Sequence, residues 1–222
     1  MKKINIALIA LATASTCGLA TAQKAGGISA SVGLTQVSPS VSSGNLSAPS
    51  LPGSQIGITN NSQLTLAFNY AITDNIILHL PIGFGFKHNI NGAGSIAGVG
   101  KLGDTKALPI TLMGQYRFLN ANAAFRPFLG AGASYVKFYN TNGTGVLTAL
   151  TNPGGPATGL SFASKLAPTV QLGGIFNINE SWFLEASYSK TFLNTRGTLT
   201  TGQTIDVRID PSAYSFQVGY KY

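Results

Sequence analysis

Charge is scarce in this chain: fourteen Lys and Arg and six Asp and Glu in 222 residues make up 9% of it, with a formal net charge of +8. An ordinary soluble domain carries roughly 25% charged residues, so something other than water is expected to cover much of the surface. Cysteine occurs once, at Cys17, which excludes a disulfide framework and a Cys-rich metal site. Histidine occurs twice, at His79 and His88. Neither lies in a nucleophile motif such as Gly-x-Ser-x-Gly, so catalysis is not expected. Nine positions apart on one strand they should point to opposite faces, and no acidic cluster joins them, so no metal is expected. The glycines do not precede a helix as a phosphate loop requires, and no cofactor is expected. Long apolar runs are also missing. A membrane helix needs ~20 apolar residues, and the only other structure that satisfies its backbone in lipid is a closed barrel.

The first residues form a secretory leader. A basic start at Lys2 and Lys3 is followed by an apolar run from Ile4 to about Ala14 and by Ala20-Thr21-Ala22 before Gln23. Cys17 offers a rival reading as a lipid-anchored cysteine, against which stand Thr16 and the Ala-x-Ala site that follows at once. The expected division is a cleaved signal peptide over residues 1–22 and one outer-membrane β-barrel domain over 23–222. Cleavage removes the cysteine and two of the basic residues. An exported chain does not meet nucleic acid, whatever its basic balance.

Period-two alternation dominates the remainder and recurs over about ten residues, the length of a tilted membrane strand. Leu64, Leu66, Phe68, Tyr70 and Ile72 alternate with Gln63, Thr65, Ala67, Asn69 and Ala71. After Thr73-Asp74-Asn75, Leu78, Leu80, Ile82, Phe84 and Phe86 share a face opposite His79 and Lys87. Comparable strands are expected near Gly26–Gln36, Lys106–Leu119, Phe125–Tyr139, Leu166–Ile178 and Trp182–Phe192. In the eighth, Ile205, Val207 and Ile209 give way to Phe216, Val218, Tyr220 and Tyr222 on the other phase, which predicts a kink around Asp210–Ala213.

Connections alternate between short turns (Thr73–Asn75, Asn120–Ala124, Asn177–Ser181) and long Gly-, Ser-, Thr- and Asn-rich segments near Ser38–Ser62, His88–Thr105, Asn140–Leu160 and Thr195–Gly202. This is the pattern of an all-β, eight-stranded antiparallel up-and-down transmembrane β-barrel with short periplasmic turns, long extracellular loops and both termini periplasmic. A soluble lipocalin-type barrel, apolar face inward, is the alternative. Against it stand the terminal strand, the few charges and the aromatics near strand ends: Tyr116, Phe118, Trp182, Tyr220 and Tyr222.

Several strings, in order, resemble the OmpW family of small outer-membrane barrels. Phe86-Lys87-His88 resembles its Pro-Phe-x-His. Leu108-Pro109-Ile110-Thr111-Leu112 with Gln115-Tyr116-Arg117-Phe118 resembles its Leu-Pro-Pro-Thr-Leu and Gln-Tyr-x-Phe. Arg126-Pro127-Phe128-Leu129-Gly130-Ala131-Gly132, Trp182-Phe183-Leu184 and Asp210-Pro211 complete the series. Gly85 stands where the family has Pro, Ile110 replaces the second Pro, and the last residue is Tyr222 rather than Phe. The resemblance implies passage of small hydrophobic molecules through a narrow apolar lumen that opens sideways between strands. An eight-stranded barrel is too narrow for an open aqueous pore.

On the inward face, the ligand-pocket candidates are Ile77, His79, Met113, Phe128 and Phe183. The candidates for a polar network are Arg117, Arg126, Glu185, Asp206 and Arg208, with Gln115 beside them. The competing reading is that these residues fill the barrel, with Glu185 paired to an Arg. A second function class is a non-transporting barrel whose loops serve adhesion, envelope integrity or phage attachment. Lys87, Lys101, Lys106, Lys137, Lys165, Lys190 and Arg196 fall toward the long-loop end, and Asp74 and Glu180 in short turns. Such a basic rim suits phosphate-bearing outer-membrane lipid and lipopolysaccharide, or is simply solvated. The remaining expected partners are a small hydrophobic solute and the barrel-assembly machinery, through the C-terminal strand. The protein is expected to be a monomer or weak oligomer.

Overall fold

A computed structural model describes residues 25–222; the leader expected over 1–22 lies outside them. The strands are, in chain order, β1 (Ile28–Ser38), β2 (Ser42–Ser43), β3 (Ser54–Ile58), β4 (Asn61–Ala71), β5 (Ile76–Gly83), β6 (Phe86–Gly94) and β7 (Lys101–Arg117). There follow β8 (Phe125–Gly143), a short helix α1 (Gly145–Thr151), β9 (Leu160–Phe162), β10 (Lys165–Asn177), β11 (Trp182–Thr191), β12 (Asn194–Leu199), β13 (Thr204–Arg208) and β14 (Ser212–Lys221).

Eight of these strands close a ring of antiparallel pairs in the order β7, β5, β4, β1, β14, β11, β10, β8 and back to β7. The first and last strands meet from Ser29↔Lys221 to Ser38↔Ser212, which removes both sheet edges. Alternation puts the large apolar side chains outside: Leu34, Leu64, Leu66, Phe68, Leu112 and Phe216 are all exposed. An apolar belt of this extent is tolerable only against acyl chains. Aromatic rings gather at its margins. Tyr116 meets Phe118 at 5.0 Å and Trp182 meets Tyr220 at 5.1 Å near the short turns, while Tyr188 meets Tyr214 at 5.2 Å toward the other margin. Such amphipathic rings suit the interface between acyl chains and water.

The long segments are not loose loops. They form a second storey, the cap, in which a four-stranded sheet β2-β13-β12-β9 shares a core with β3, β6 and the upper parts of β7 and β8. Its helix α1 begins at Thr144, whose side-chain oxygen accepts from the Leu147 N–H. Above the belt water surrounds the wall, so the alternation changes sense, with apolar residues inside and polar ones outside. Ile90, Leu102, Leu147, Leu199, Ile205 and Val207 form the buried core of the cap. Lys87, Lys137, Lys165, Arg196 and Arg208 point out of it.

The reversal needs no slip of the backbone: on β8, Arg126, Phe128, Ser134 and Val136 keep one inward phase from plug to cap, and only the chemistry that faces inward changes. The chain leaves β13 within the expected kink, where Asp210 takes a left-handed φ of 35° and accepts from the Leu193 N–H at 2.8 Å, yet the expected slip of phase is absent, since Ile205, Val207 and Ile209 face inward as Gln217 and Lys221 do. Three further expectations are corrected. Asp206 and Arg208 are not lumen residues, because β13 lies in the cap, where the polar face is the wet one. Phe86 is buried rather than outward, because the chain slips at Phe84-Gly85 between β5 and β6. The same slip turns His79 and His88, expected on opposite faces, both inward.

Candidate functional site

The turn end of the lumen is solid. Ile77, Phe128, Ile175 and Phe183 are fully buried there, with Arg117 and Arg126 beneath them. Glycine makes room for the rings. Phe183 is cross-strand from Gly219, where a Cβ would stand 2.1 Å from the ring, and Phe128 is cross-strand from Gly173, where it would stand 2.5 Å away. Arg126 donates to the Asp74 carbonyl at 2.7 Å, and to those of Phe118 and Leu119 at 3.3 Å, tying down the turns. Lys221 donates to Asn177 Oδ1 at 2.8 Å. Arg117 reaches Gln115 Oε1 through Nε and Nη2 at 3.2 and 3.0 Å, and Gln115 donates to Gln171 Oε1 at 2.9 Å.

Above this plug lies a cavity of about 140 Å³, close in size to engineered apolar cavities of about 150 Å³ that take up benzene. Its floor holds His79, Met113, Gln171, Glu185 and Gln217. His79 Nδ1 lies 2.6 Å from Asn69 Oδ1. At mid-height the walls carry hydroxyls that bond one another, Thr111 to Ser134 and Ser134 to Thr169, each at 2.7 Å. The roof is apolar, with Phe86, Val136, Phe138, Leu193 and Ile209. His88 also lines it, with Nδ1 2.6 Å from the Thr59 carbonyl. That bond favours the charged ring, but burial outweighs it and holds the imidazole below its ordinary pKa of 6.5.

The barrel wall beside this cavity is incomplete. β5 pairs with β7 only from Ile76↔Tyr116 to His79↔Met113, and pairing resumes at Phe86↔Ala107 on β6. Between them, Leu80–Gly83 pair only with β4, and Leu108–Leu112 pair only with β8. Two prolines, Pro81 and Pro109, flank the seam and carry no N–H with which to close it. The cavity reaches it, since Pro81, Ile82, Gly83, Ala107, Pro109 and Thr111 all line the space.

Of the sequence candidates, His79, Met113 and Glu185 line the cavity, and Ile77, Phe128, Phe183, Arg117 and Arg126 belong to the plug under it. The prolines, and Ser187 and Ser189 on β11, were not singled out. A proline within a strand marks a place where the ladder is interrupted or ends, and that signal was available at Pro81 and Pro109.

The OmpW family model matches residues 24–222. The chain belongs to the OmpW family. It is 34% identical over 175 residues to outer membrane protein W of Vibrio cholerae serotype O1, covering 76% of this chain and 77% of that one. Against outer membrane protein W of Escherichia coli K12 the identity is 33% over 228 residues and the whole of both chains. The crystal structure of OprG, an outer membrane protein from Pseudomonas aeruginosa, has the same fold, with a TM-score of 0.81 at 24% identity over 92% of this chain and 99% of that one. A Pseudomonas aeruginosa relative named as the dibenzothiophene metabolism operon protein PahQ is 25% identical over 182 residues, 80% of this chain and 79% of that one. This chain is accordingly an OmpW-type barrel of the bacterial outer membrane.

Proposed function

We propose that this OmpW-family barrel passes small hydrophobic molecules across the outer membrane and releases them sideways into the bilayer. The cap faces the cell exterior and both termini face the periplasm. The observation that carries this reading is the junction of a dead-ended cavity with the unpaired seam between β5 and β7. A solute in the cavity meets the plug of Phe128, Phe183 and Arg117 on the periplasmic side, so the seam is the short way out. The seam opens through the apolar belt, into acyl chains, and an apolar molecule crosses it without entering water. A sugar would lose its hydration there with few partners in exchange. The PahQ relative, named for metabolism of an apolar heteroaromatic compound, fits the same class of cargo.

The test is uptake by lipopolysaccharide-containing liposomes bearing the mature protein. Naphthalene should enter faster than into empty liposomes and sucrose should not. Thr111→Trp, which fills the cavity, should abolish the naphthalene gain. Pro81→Val with Pro109→Val, which returns two N–H donors to the seam, should reduce it. A gain unaffected by Thr111→Trp would overturn the reading, and no gain for either solute would leave the loops as the working part.

A further inference from the structure

The cavity is two-faced, and its faces are set opposite one another by the barrel order. With eight staves in the sequence β7, β5, β4, β1, β14, β11, β10, β8, the wall diametrically across from the β5–β7 seam is the β14–β11 wall. The seam side presents Pro81, Ile82, Phe86, Ala107, Pro109 and Met113, and the polar side chains of the same strands already have partners in the wall, His79 with Asn69, His88 with the Thr59 carbonyl, Thr105 with Thr141 and Thr111 with Ser134. On the far side β11 presents Glu185, Ser187, Ser189 and Thr191 in a line up the wall. Glu185 is 2% exposed, and among the described residues its Oε2 has no hydrogen-bond partner. A buried, unpaired carboxylate oxygen is costly, and proteins that keep one commonly use it.

We propose that the cavity selects neutral, apolar molecules carrying a single hydroxyl group, which is held by Glu185. This names the substrate class of the transport reading above and rests on it. A solute lying along the axis from seam to far wall places its apolar body against the proline-flanked side and its hydroxyl at Glu185. The hydroxyl donates to Oε2, and its oxygen accepts from a side chain of the same stripe such as Ser187. A bare hydrocarbon leaves Oε2 unpaired. An anionic head is repelled by the carboxylate, and an ammonium loses its hydration beside Arg117, whose charge interacts with Glu185. A sugar has no match for the apolar side.

Binding to the full mature protein in lipid nanodiscs, followed by the fluorescence of the probe, tests this with 2-naphthol, 2-methoxynaphthalene and naphthalene. The three share a ring body, and only the first can donate. 2-Naphthol should bind at least about tenfold more tightly than the other two, the scale of one hydrogen bond to a charged group. Glu185→Leu should erase the ratio by weakening 2-naphthol relative to the other two, and Ser187→Ala should shrink it. If Glu185→Leu does not assemble, the three probes on the unaltered protein and on Ser187→Ala still decide. Equal affinities for all three would overturn the selection and leave the transport reading standing. Binding of 2-methoxynaphthalene as tight as 2-naphthol would show that donation is not what is recognised. Failure of all three to bind would overturn both.

Discussion

The two halves of the lumen are enclosed by the same eight strands, yet one is filled and the other hollow. In the turn half, bulky Phe128 and Phe183 stand opposite Gly173 and Gly219, and each ring occupies the space a neighbouring side chain would have taken. In the cap half, inward positions carry Ser, Thr and Ala at mid-height, whose hydroxyls satisfy one another along the wall. Barrel diameter is fixed by strand number and shear, so the difference is made by side-chain volume alone. The hollow half is also the half where the wall fails to pair. The cavity is thus closed at the turn end and bordered at its side by the unpaired seam.

Emptying the solid half is the strongest way to break this comparison. Phe183→Ala deletes a fully buried ring and is expected to cost about 3–5 kcal/mol of stability. It should leave naphthalene uptake near its original rate, because Phe183 does not line the cavity. Urea unfolding of the detergent-solubilised barrel reads the first effect and the liposome assay the second. A large change in uptake with little change in stability would move the ring from the plug into the pathway.

Overfilling the same half gives a smaller effect. Gly219→Val adds a side chain where even a Cβ lies 2.1 Å from the Phe183 ring, and overpacking of this kind typically costs about 1–3 kcal/mol. The double variant Gly219→Val with Phe183→Ala should be more stable than the sum of the two single changes implies, because the valine occupies part of the vacated space. Additive losses would mean that the two residues are not coupled.

The same comparison explains how far the sequence could be read. The eight membrane strands were legible because a narrow packed lumen inside and lipid outside impose a strict period of two over ten residues, as in Leu64–Ile72. The inward phase of Phe128, Phe183, Arg117 and Arg126 was legible, but not that the two rings, expected in the ligand pocket, pack the plug beneath it. The cap was not legible. Its strands are short and Gly- and Thr-rich, and Ile90, Leu102 and Leu147 look isolated until distant segments bring them together. Alternation gives two faces without saying which is inside, and above the belt the answer inverts. That inversion misplaced Asp206 and Arg208. A single slip at Phe84-Gly85 likewise misplaced Phe86 and separated two histidines that share a cavity.

The mildest way to sharpen the contrast is by pH, acting on the cap end alone. His88 is buried at the roof with Nδ1 2.6 Å from the Thr59 carbonyl, and its pKa in the folded protein lies below the ordinary 6.5. The unfolded chain therefore binds a proton at a higher pH than the folded chain, so stability falls as pH drops through 6.5 toward the folded value. Asp104 is also shifted down, for a different reason, and has the same effect at lower pH. Its hydrogen bond from Lys101 at 2.7 Å holds its carboxyl below 3.8, and that stabilisation is lost only as pH falls through the folded value. Between pH 7 and 5 Asp104 is ionised in both states while His88 gains a proton on unfolding, and the loosening around His88 should be local. The Thr59 and Asn89 backbones, joined by Thr59 N–H to the Asn89 carbonyl and Asn89 N–H to Thr59 Oγ1, both at 3.0 Å, should exchange amide hydrogen more readily at pH 5 after correction for intrinsic rates. Amides of β11 and β14 beside the plug should not. His88→Gln, which keeps a polar side chain without a proton to gain, should flatten the response, and an unchanged response in that variant would place the sensitivity elsewhere in the cap.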